Sequence, residues 1–173
     1  MDELSQTAVL RAMAHPLRLR MLSLLTGAEL SAAEVARELG ITHANASYHL
    51  RVLLDAGELE VAGEEKIRGG VAKRYRHPWL RPDGERRLSA DDLEDYVRAM
   101  ASELVRRYAG RLRGGPRGNL SDAEVWVDPA TYDRALELVT EASNLLHASA
   151  RPPRTEGTLR ANLTVGLFPM RNV

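Results

Sequence analysis

Apolar residues recur at helical spacing through the first part of the chain. The stretch Leu4–Ala14 predicts a helix that ends at His15, because the following Pro16 disfavours helical backbone in its predecessor. A second helix is predicted over Leu17–Leu25 and ends before Gly27. Its predicted inward stripe consists of Leu17, Met21, Leu24 and Leu25.

The next segment predicts two helices joined by a tight turn. Ser31 and Glu34 have capping-box spacing, so a short helix should begin there and run to Leu39. Gly40 supplies the left-handed turn, and Thr42 is placed to cap a further helix that continues to about Gly57. The inward stripe predicted for that helix is Ala46, Leu50, Leu53 and Leu54. Helix, glycine turn and helix together indicate a helix-turn-helix.

Two strand-like runs follow, Glu58–Ile67 and Val71–His77, separated by Arg68-Gly69-Gly70. A glycine pair between two such runs favours a β-hairpin, which is where a winged helix carries its wing. Cations outnumber acids in and just after the hairpin, so a positive surface is expected there. These cations are Lys66, Arg68, Lys73, Arg74, Arg76, Arg81, Arg86 and Arg87.

A long amphipathic helix is predicted from Ser89 to about Arg113. At roughly 1.5 Å per residue it would span some 35 Å, which is as wide as a small winged-helix domain. Part of its apolar stripe should therefore be covered by a second copy of the chain, and a homodimer is expected. The predicted interface residues are Leu93, Tyr96, Val97, Met100, Leu104 and Tyr108.

Beyond the linker Gly114–Gly118, the pattern predicts a small β-α-β module. Its parts are a strand at Val125–Val127, a helix over Pro129–Ala148, and a strand over Leu159–Leu167 in which apolar and polar residues alternate. Four aromatic or imidazole side chains in this module could line an effector pocket or simply pack in a core. They are Trp126, Tyr132, His147 and Phe168.

The expected fold is therefore α+β and mainly α. The sequence divides into a winged helix-turn-helix domain (1–82), a dimerisation helix (83–113), a linker (114–121) and the C-terminal module (122–173).

Composition narrows the function classes. The formal net charge is zero and there is no cysteine, which excludes disulfides and thiolate metal sites. The five histidines form no helical i, i+3 or i+4 pair, so no metal site is predicted. No phosphate loop, nucleophile elbow or other catalytic motif is found, so neither an enzyme nor a cofactor is expected. No signal peptide or membrane span is recognised, which favours a cytoplasmic protein.

The polar side of the second motif helix carries the candidate DNA contacts. Thr42, His43, Asn45 and Tyr48 are predicted to reach the major groove, since amide and hydroxyl groups read base edges. Ser47, His49 and Arg51 are predicted to meet phosphate, although His49 could equally be a histidine at the edge of the core. On the hairpin, Arg68, Lys73 and Arg74 are predicted to contact DNA. An ordinary solvated helix face and a charged loop tip are the alternatives.

Two of these segments resemble the ArsR family of bacterial repressors. Ala14 to Leu22, with its His-Pro-Leu-Arg run, is similar to the family's opening signature. Gly40 to Leu53, with its Ser-x-His-Leu core, is similar to the recognition-helix signature. The resemblance implies a repressor that leaves a DNA operator when an effector binds. Where metal-sensing members carry Cys-x-Cys, this chain has Val35-Ala36-Arg37, so an effector other than a metal is expected.

The leading hypothesis is therefore a homodimeric repressor that reads a partly palindromic operator. A small-molecule-binding module centred on the C-terminal unit is the alternative, and the two can coexist.

Overall fold

The computed structural model describes residues 12–68, 70–79 and 90–171. The fold in these ranges is mixed α+β, with a winged helix-turn-helix followed by two long helices. The elements are α1 (Pro16–Leu25), β1 (Leu30–Ser31), α2 (Ala32–Leu39), α3 (His43–Asp55), β2 (Glu60–Ile67), β3 (Gly70–Arg76), α4 (Ala90–Ala109) and α5 (Pro129–Ala148). Most of the helix predicted over Leu4–Ala14 lies outside the described residues; Ala12 and Met13 are helical and buried.

The hydrophobic core lies between the first three helices and the start of the hairpin. It contains Met13, Met21, Leu22, Leu25, Val35, Ala36, Ala46, Leu50, Leu53 and Leu59. On α1 the buried face differs from the predicted stripe: Leu19 and Leu22 are buried, whereas Leu17 and Leu24 are only partly covered. The reason is that α1 packs against α2 and α3 on one side and against α4 on another, so it buries a wider arc than a two-helix contact needs.

The capping box before α2 is confirmed in detail. The Ser31 backbone N–H and hydroxyl both donate to Glu34 Oε2 at 2.8 Å, while the Ser31 hydroxyl accepts from the Glu34 N–H at 3.4 Å. These contacts satisfy backbone groups that a helix start leaves without intrahelical partners. Gly40 ends α2 with φ of 66°, the left-handed conformation that glycine adopts without steric cost. The position and bounds of the first motif helix therefore follow from local sequence.

The predicted hairpin is present as β2 and β3, paired antiparallel with a bulge between Val61 and Gly63. A third strand, β1, was not predicted. It joins the other edge of β3, with Leu30 opposite Tyr75 and Ser31 opposite Arg74, so the strand order is β1-β3-β2. This pairing ties the start of α2 directly to the wing.

The C-terminal half departs from the prediction. The helix over Pro129–Ala148 is confirmed, and Asp128 caps it by accepting from the Thr131 N–H at 2.9 Å. The prediction of a β-α-β module is wrong, because neither Val125–Val127 nor Leu159–Leu167 is part of a sheet in the described chain. A strand needs a second strand for its backbone groups, and no hydrogen bond joins these two tracts within the described residues. The domain boundaries stay predictions.

The long helix α4 ends at Ala109, before a glycine and four residues short of the predicted end at Arg113. Its predicted first residue, Ser89, lies outside the described residues. No helix in the described ranges combines the length and the apolar character that a membrane crossing requires.

Candidate nucleic-acid interface

The turn between α2 and α3 fixes the direction of the second motif helix. Arg20 of α1 donates from Nη2 to the Leu39 carbonyl oxygen at 3.2 Å, so the end of α2 is held by α1. The Ile41 N–H donates to the Ala36 carbonyl at 3.0 Å, and the Ile41 side chain packs against the core. Thr42 then caps α3 by accepting from the Asn45 N–H at 3.2 Å. The contacts of Ile41 and Thr42 are local, whereas that of Arg20 comes from another helix, and together they present the start of α3 to solvent.

Helix α3 has one face in the core and one face in solvent. Ala46, Leu50 and Leu53 are completely buried, and they hold the helix against α1 and α2. The opposite face is polar and accessible. Its exposed members among the predicted DNA contacts are Thr42, His43, Asn45, Tyr48 and Arg51, while Ser47 is half-buried. This face carries amide, hydroxyl and guanidinium groups, which can hydrogen-bond base edges and phosphates.

His49 does not belong to that exposed face. Its exposed fraction is only 8 %, and its ring lies 4.8 Å from the ring of His15, centroid to centroid. Burial, together with the charges of His15 and Arg18, lowers the pKa of His49. A neutral buried imidazole has neither the access nor the charge for a phosphate contact. The predicted phosphate contact of His49 is therefore corrected in favour of the alternative, a histidine at the edge of the core.

His15 has a structural role as well. Its Nδ1 accepts a hydrogen bond from the Leu17 N–H at 3.1 Å and so caps α1. Burial, followed by the nearby charge of Arg18, lowers the pKa of His15. The two imidazoles therefore form a neutral pair that joins the start of α1 to the middle of α3.

The wing, which is the hairpin of β2 and β3, carries both exposed cations and a cation, Arg74, that is ion-paired within the protein. Lys66, Arg68 and Lys73 are exposed on the hairpin. Arg74, by contrast, pairs through Nη1 with Glu34 Oε2 at 3.2 Å and with Glu65 Oε2 at 2.9 Å.

The Nη2 group of Arg74 donates to the carbonyl of Glu29. Arg74 thus links the wing to the start of α2, and its predicted contact with DNA stays a prediction. The pKa of Glu34 is lowered, first by the hydrogen bond from the Ser31 backbone and further by its hydroxyl and by Arg74, against the opposing effect of burial. Sequence reasoning missed this connection, because it depends on β1 placing the start of α2 beside β3.

The predicted dimer residues on α4 fall into two groups. Tyr96, Met100 and Leu104 are half-buried, and Tyr96 packs against the core of its own chain. Leu93, Val97 and Tyr108 are exposed at 37 %, 51 % and 49 %. The assignment of these residues to a dimer interface stays a prediction.

Buried charges on the inner side of α4 were also missed. Glu103 is only 3 % exposed; both carboxylate oxygens accept from Arg106 Nε at 2.9 Å, and Oε2 also accepts from Arg107 Nε at 3.3 Å. Burial raises the pKa of Glu103, but the hydrogen bonds and charges of the two arginines outweigh it and hold that pKa below its ordinary value. A glutamate followed by arginines three and four residues later is a visible signal for such a cluster.

Comparison with known proteins bears on the motif alone. A family model described as a helix-turn-helix domain matches residues 13–61, which include α1, the capping box, α3 and the start of the wing. No significant match to a curated protein is found. The helix-turn-helix assignment made from the geometry is therefore confirmed, and it points to DNA binding.

Proposed function

We propose that this protein is a homodimeric transcriptional repressor of the ArsR type, which binds double-stranded operator DNA and is released by an effector other than a metal ion. The proposal assigns no catalytic activity, and it places the protein in the cytoplasm with its DNA. The observation that carries it is α3, a capped helix that is held by a buried apolar face and presents amide, hydroxyl and guanidinium side chains to solvent.

A selection experiment tests the DNA-binding part directly. The purified protein is incubated with random-sequence duplexes of about 30 base pairs, long enough for two half-sites one helical turn apart. We expect enrichment of a partly palindromic sequence, since two copies related by a two-fold axis read inverted half-sites. No enrichment over a protein-free control would contradict sequence-specific binding.

Salt dependence provides a second readout on the enriched duplex. For about six phosphate contacts, log K should fall with a slope near −5 against log salt concentration. The exposed cations Lys66, Arg68 and Lys73 are the groups expected to release counterions. An affinity that does not change between low and high salt would contradict the proposed binding mode.

A cleft of about 250 Å³ supports the second candidate function, effector binding. Its walls come from α1, α4, α5 and the segment 163–165, so a ligand there would touch the helix-turn-helix and the C-terminal half at once. A cavity of about 150 Å³ accommodates benzene, so this cleft suits a monocyclic compound. Arg107 crosses the site: Nη1 donates to Asn162 Oδ1 at 3.0 Å and Nη2 to Ser23 Oγ at 3.3 Å.

The cleft is tested by filling it. Ser143 is half-buried on α5 and lines the cleft, so Ser143→Trp should occupy the space while leaving α3 untouched. Monocyclic carboxylic acids are screened for compounds that release the wild-type protein from the selected duplex. We expect Ser143→Trp to bind DNA normally but to lose the response. A variant that still responds fully would place the effector site elsewhere.

A further inference from the structure

Two tracts of the C-terminal half have the pattern of β-strands but no strand partner. The arm comprises residues 120–127, in which Ala123, Val125 and Val127 alternate with polar or aromatic residues. The tail tract comprises residues 159–167, in which Leu and Val alternate with Arg160, Asn162, Thr164 and Gly166. No backbone N–H or C=O of either tract is hydrogen-bonded to another described residue. Such open edges are templates for pairing with a second chain.

The tail tract is only lightly covered by its own chain, and every residue in it except the half-buried Thr164 is exposed. It contacts the body through Asn162, which accepts from Arg107, and through residues 163–165, which line the cleft. The apolar alternates remain accessible, with exposed fractions between 37 % and 66 %. They are Leu159, Leu163, Val165 and Leu167. The apolar face that a sheet normally covers is therefore only partly covered by the chain itself.

The amount of exposed apolar surface indicates a constitutive partner. Trp126 is 86 % exposed and Phe168 63 %, and aromatic side chains bury about 150–250 Å² each when covered. With the aliphatic residues of both tracts and the outer leucines of α5, the exposed apolar area is on the order of the ~800 Å² per partner of a standard interface. Helix α5 has no buried residue, so it needs this cover whenever the protein is folded.

A second copy of the chain fits these tracts better than a partner of another kind. Each copy supplies both an arm and a tail tract, so a two-fold axis satisfies both at once. The arm carries the acids Asp122 and Glu124, and the tail tract carries the base Arg160, so pairing the two brings opposite charges together.

We propose that the arm of one copy pairs with the tail tract of the other, forming intersubunit sheet in the dimer. This inference rests on the homodimer of the proposed function. Through this pairing each tract gains the strand partner that it lacks within a single chain, and α5 gains an apolar surface to pack against.

Backbone hydrogen exchange on the full chain tests the pairing itself. The amides of an unpaired tract exchange at the rate of an unfolded peptide, whereas paired strand amides are protected. We expect at least tenfold protection of residues 159–167 at high protein concentration, lost on dilution. Unprotected exchange at every concentration would overturn the proposal. Protection that persists below the dimer dissociation constant, where the chain is monomeric, would overturn it too, since it would mean pairing within one chain.

Two neighbouring substitutions test which face is covered. Leu159→Asp puts a carboxylate on the apolar face and should weaken dimerisation at least tenfold, measured by analytical ultracentrifugation. The matched control Asn162→Asp introduces the same residue three positions away, on the other face, and should change the dimer dissociation constant less than threefold. Both residues are exposed and outside the core, so the helix-turn-helix should melt normally in both variants. Equal effects, or an intact Leu159→Asp dimer, would contradict the assignment of the face.

The absence of cysteine allows disulfide mapping between copies. Chains carrying Val125→Cys are mixed with chains carrying Ala161→Cys, Leu163→Cys or Val165→Cys, and the mixtures are oxidised. We expect a mixed disulfide dimer with at least one of the three, about tenfold above the exposed control Thr140→Cys, because the bond needs Cα atoms within about 7 Å. No mixed product above that control would overturn the exchange.

The outcomes separate this inference from the function it rests on. Enrichment of an operator without protection of the tail tract would leave the repressor standing and reject the exchanged sheet. Protected tracts and a mixed disulfide without DNA enrichment would do the opposite.

Discussion

The two halves of this protein both contain many apolar residues but use them to very different effect. In residues 12–79, apolar side chains converge on one core, and Met21, Val35, Ala46, Leu50 and Leu53 are completely buried. In residues 111–171 no residue is buried, although the stretch contains a capped helix and two strand-like tracts. The comparison teaches that local pattern is enough to form a helix, whereas a core requires a second layer in the right place.

The largest expected difference between the halves is in the free energy of unfolding. Leu50→Ala removes a fully buried side chain, and such cavities cost about 2–5 kcal/mol because the surroundings relax only partly. The matched change Leu146→Ala on α5, at a side chain 41 % exposed, should cost below about 1 kcal/mol in dilute protein. Urea titration measures both. Equal losses in dilute solution would show that the C-terminal half has a core within its own chain.

Sequence reasoning performed differently in the two halves for the same reason. The capping box at Ser31 and the left-handed Gly40 are local, and each is predicted at the right residue. The strand at Leu159–Leu167 also has a clear period, but whether a strand forms depends on a partner that no local pattern specifies. The same limit applies to Arg74 and His49, whose roles are set by contacts with residues 40 and 34 positions away.

The proposed base recognition depends on the closed core of the first half, which holds α3 in place. Asn45 is exposed on α3, and an asparagine amide can bond adenine through two hydrogen bonds. Asn45→Ala should relax preference at one base position by about 1–3 kcal/mol on the selected duplex. The nearby control Ser47→Ala, predicted to contact phosphate, should weaken binding to all duplexes alike. Competition binding against single-base variants of the duplex measures this preference. An unchanged preference in Asn45→Ala would show that Asn45 does not contact a base.

The wing carries, at adjacent positions, a cation held in ion pairs and an exposed cation that is predicted to contact DNA. Arg74→Ala breaks the pairs with Glu34 and Glu65 and should lower the free energy of unfolding by about 1 kcal/mol. Lys73→Ala should leave stability unchanged and instead reduce the salt slope of DNA binding by about one. Urea titration and salt titration of both variants test the pair of statements. A loss of stability in Lys73→Ala equal to that in Arg74→Ala would contradict the division of roles.

The smallest effect expected is a pH dependence confined to the first half, from the pair His15 and His49. Because burial lowers both pKa values, the unfolded chain takes up protons near pH 6.5 while the folded protein does not. The stabilising contribution is therefore complete above that pH and is lost as the pH falls toward the folded pKa values. His15→Asn keeps a capping side chain on α1 and removes one imidazole, so it should flatten the decline in unfolding free energy between pH 7 and about pH 5.5.

The control for that experiment is His43→Gln, which removes an exposed imidazole at the start of α3 and should leave the slope as in the wild type. The slope is read from urea titrations at several pH values, so a uniform loss of stability in either variant does not affect the result. A slope that His15→Asn leaves unchanged, or that His43→Gln flattens equally, would mean that the buried pair is not the group that titrates. The pH dependence would then have to come from groups outside the contact between α1 and α3.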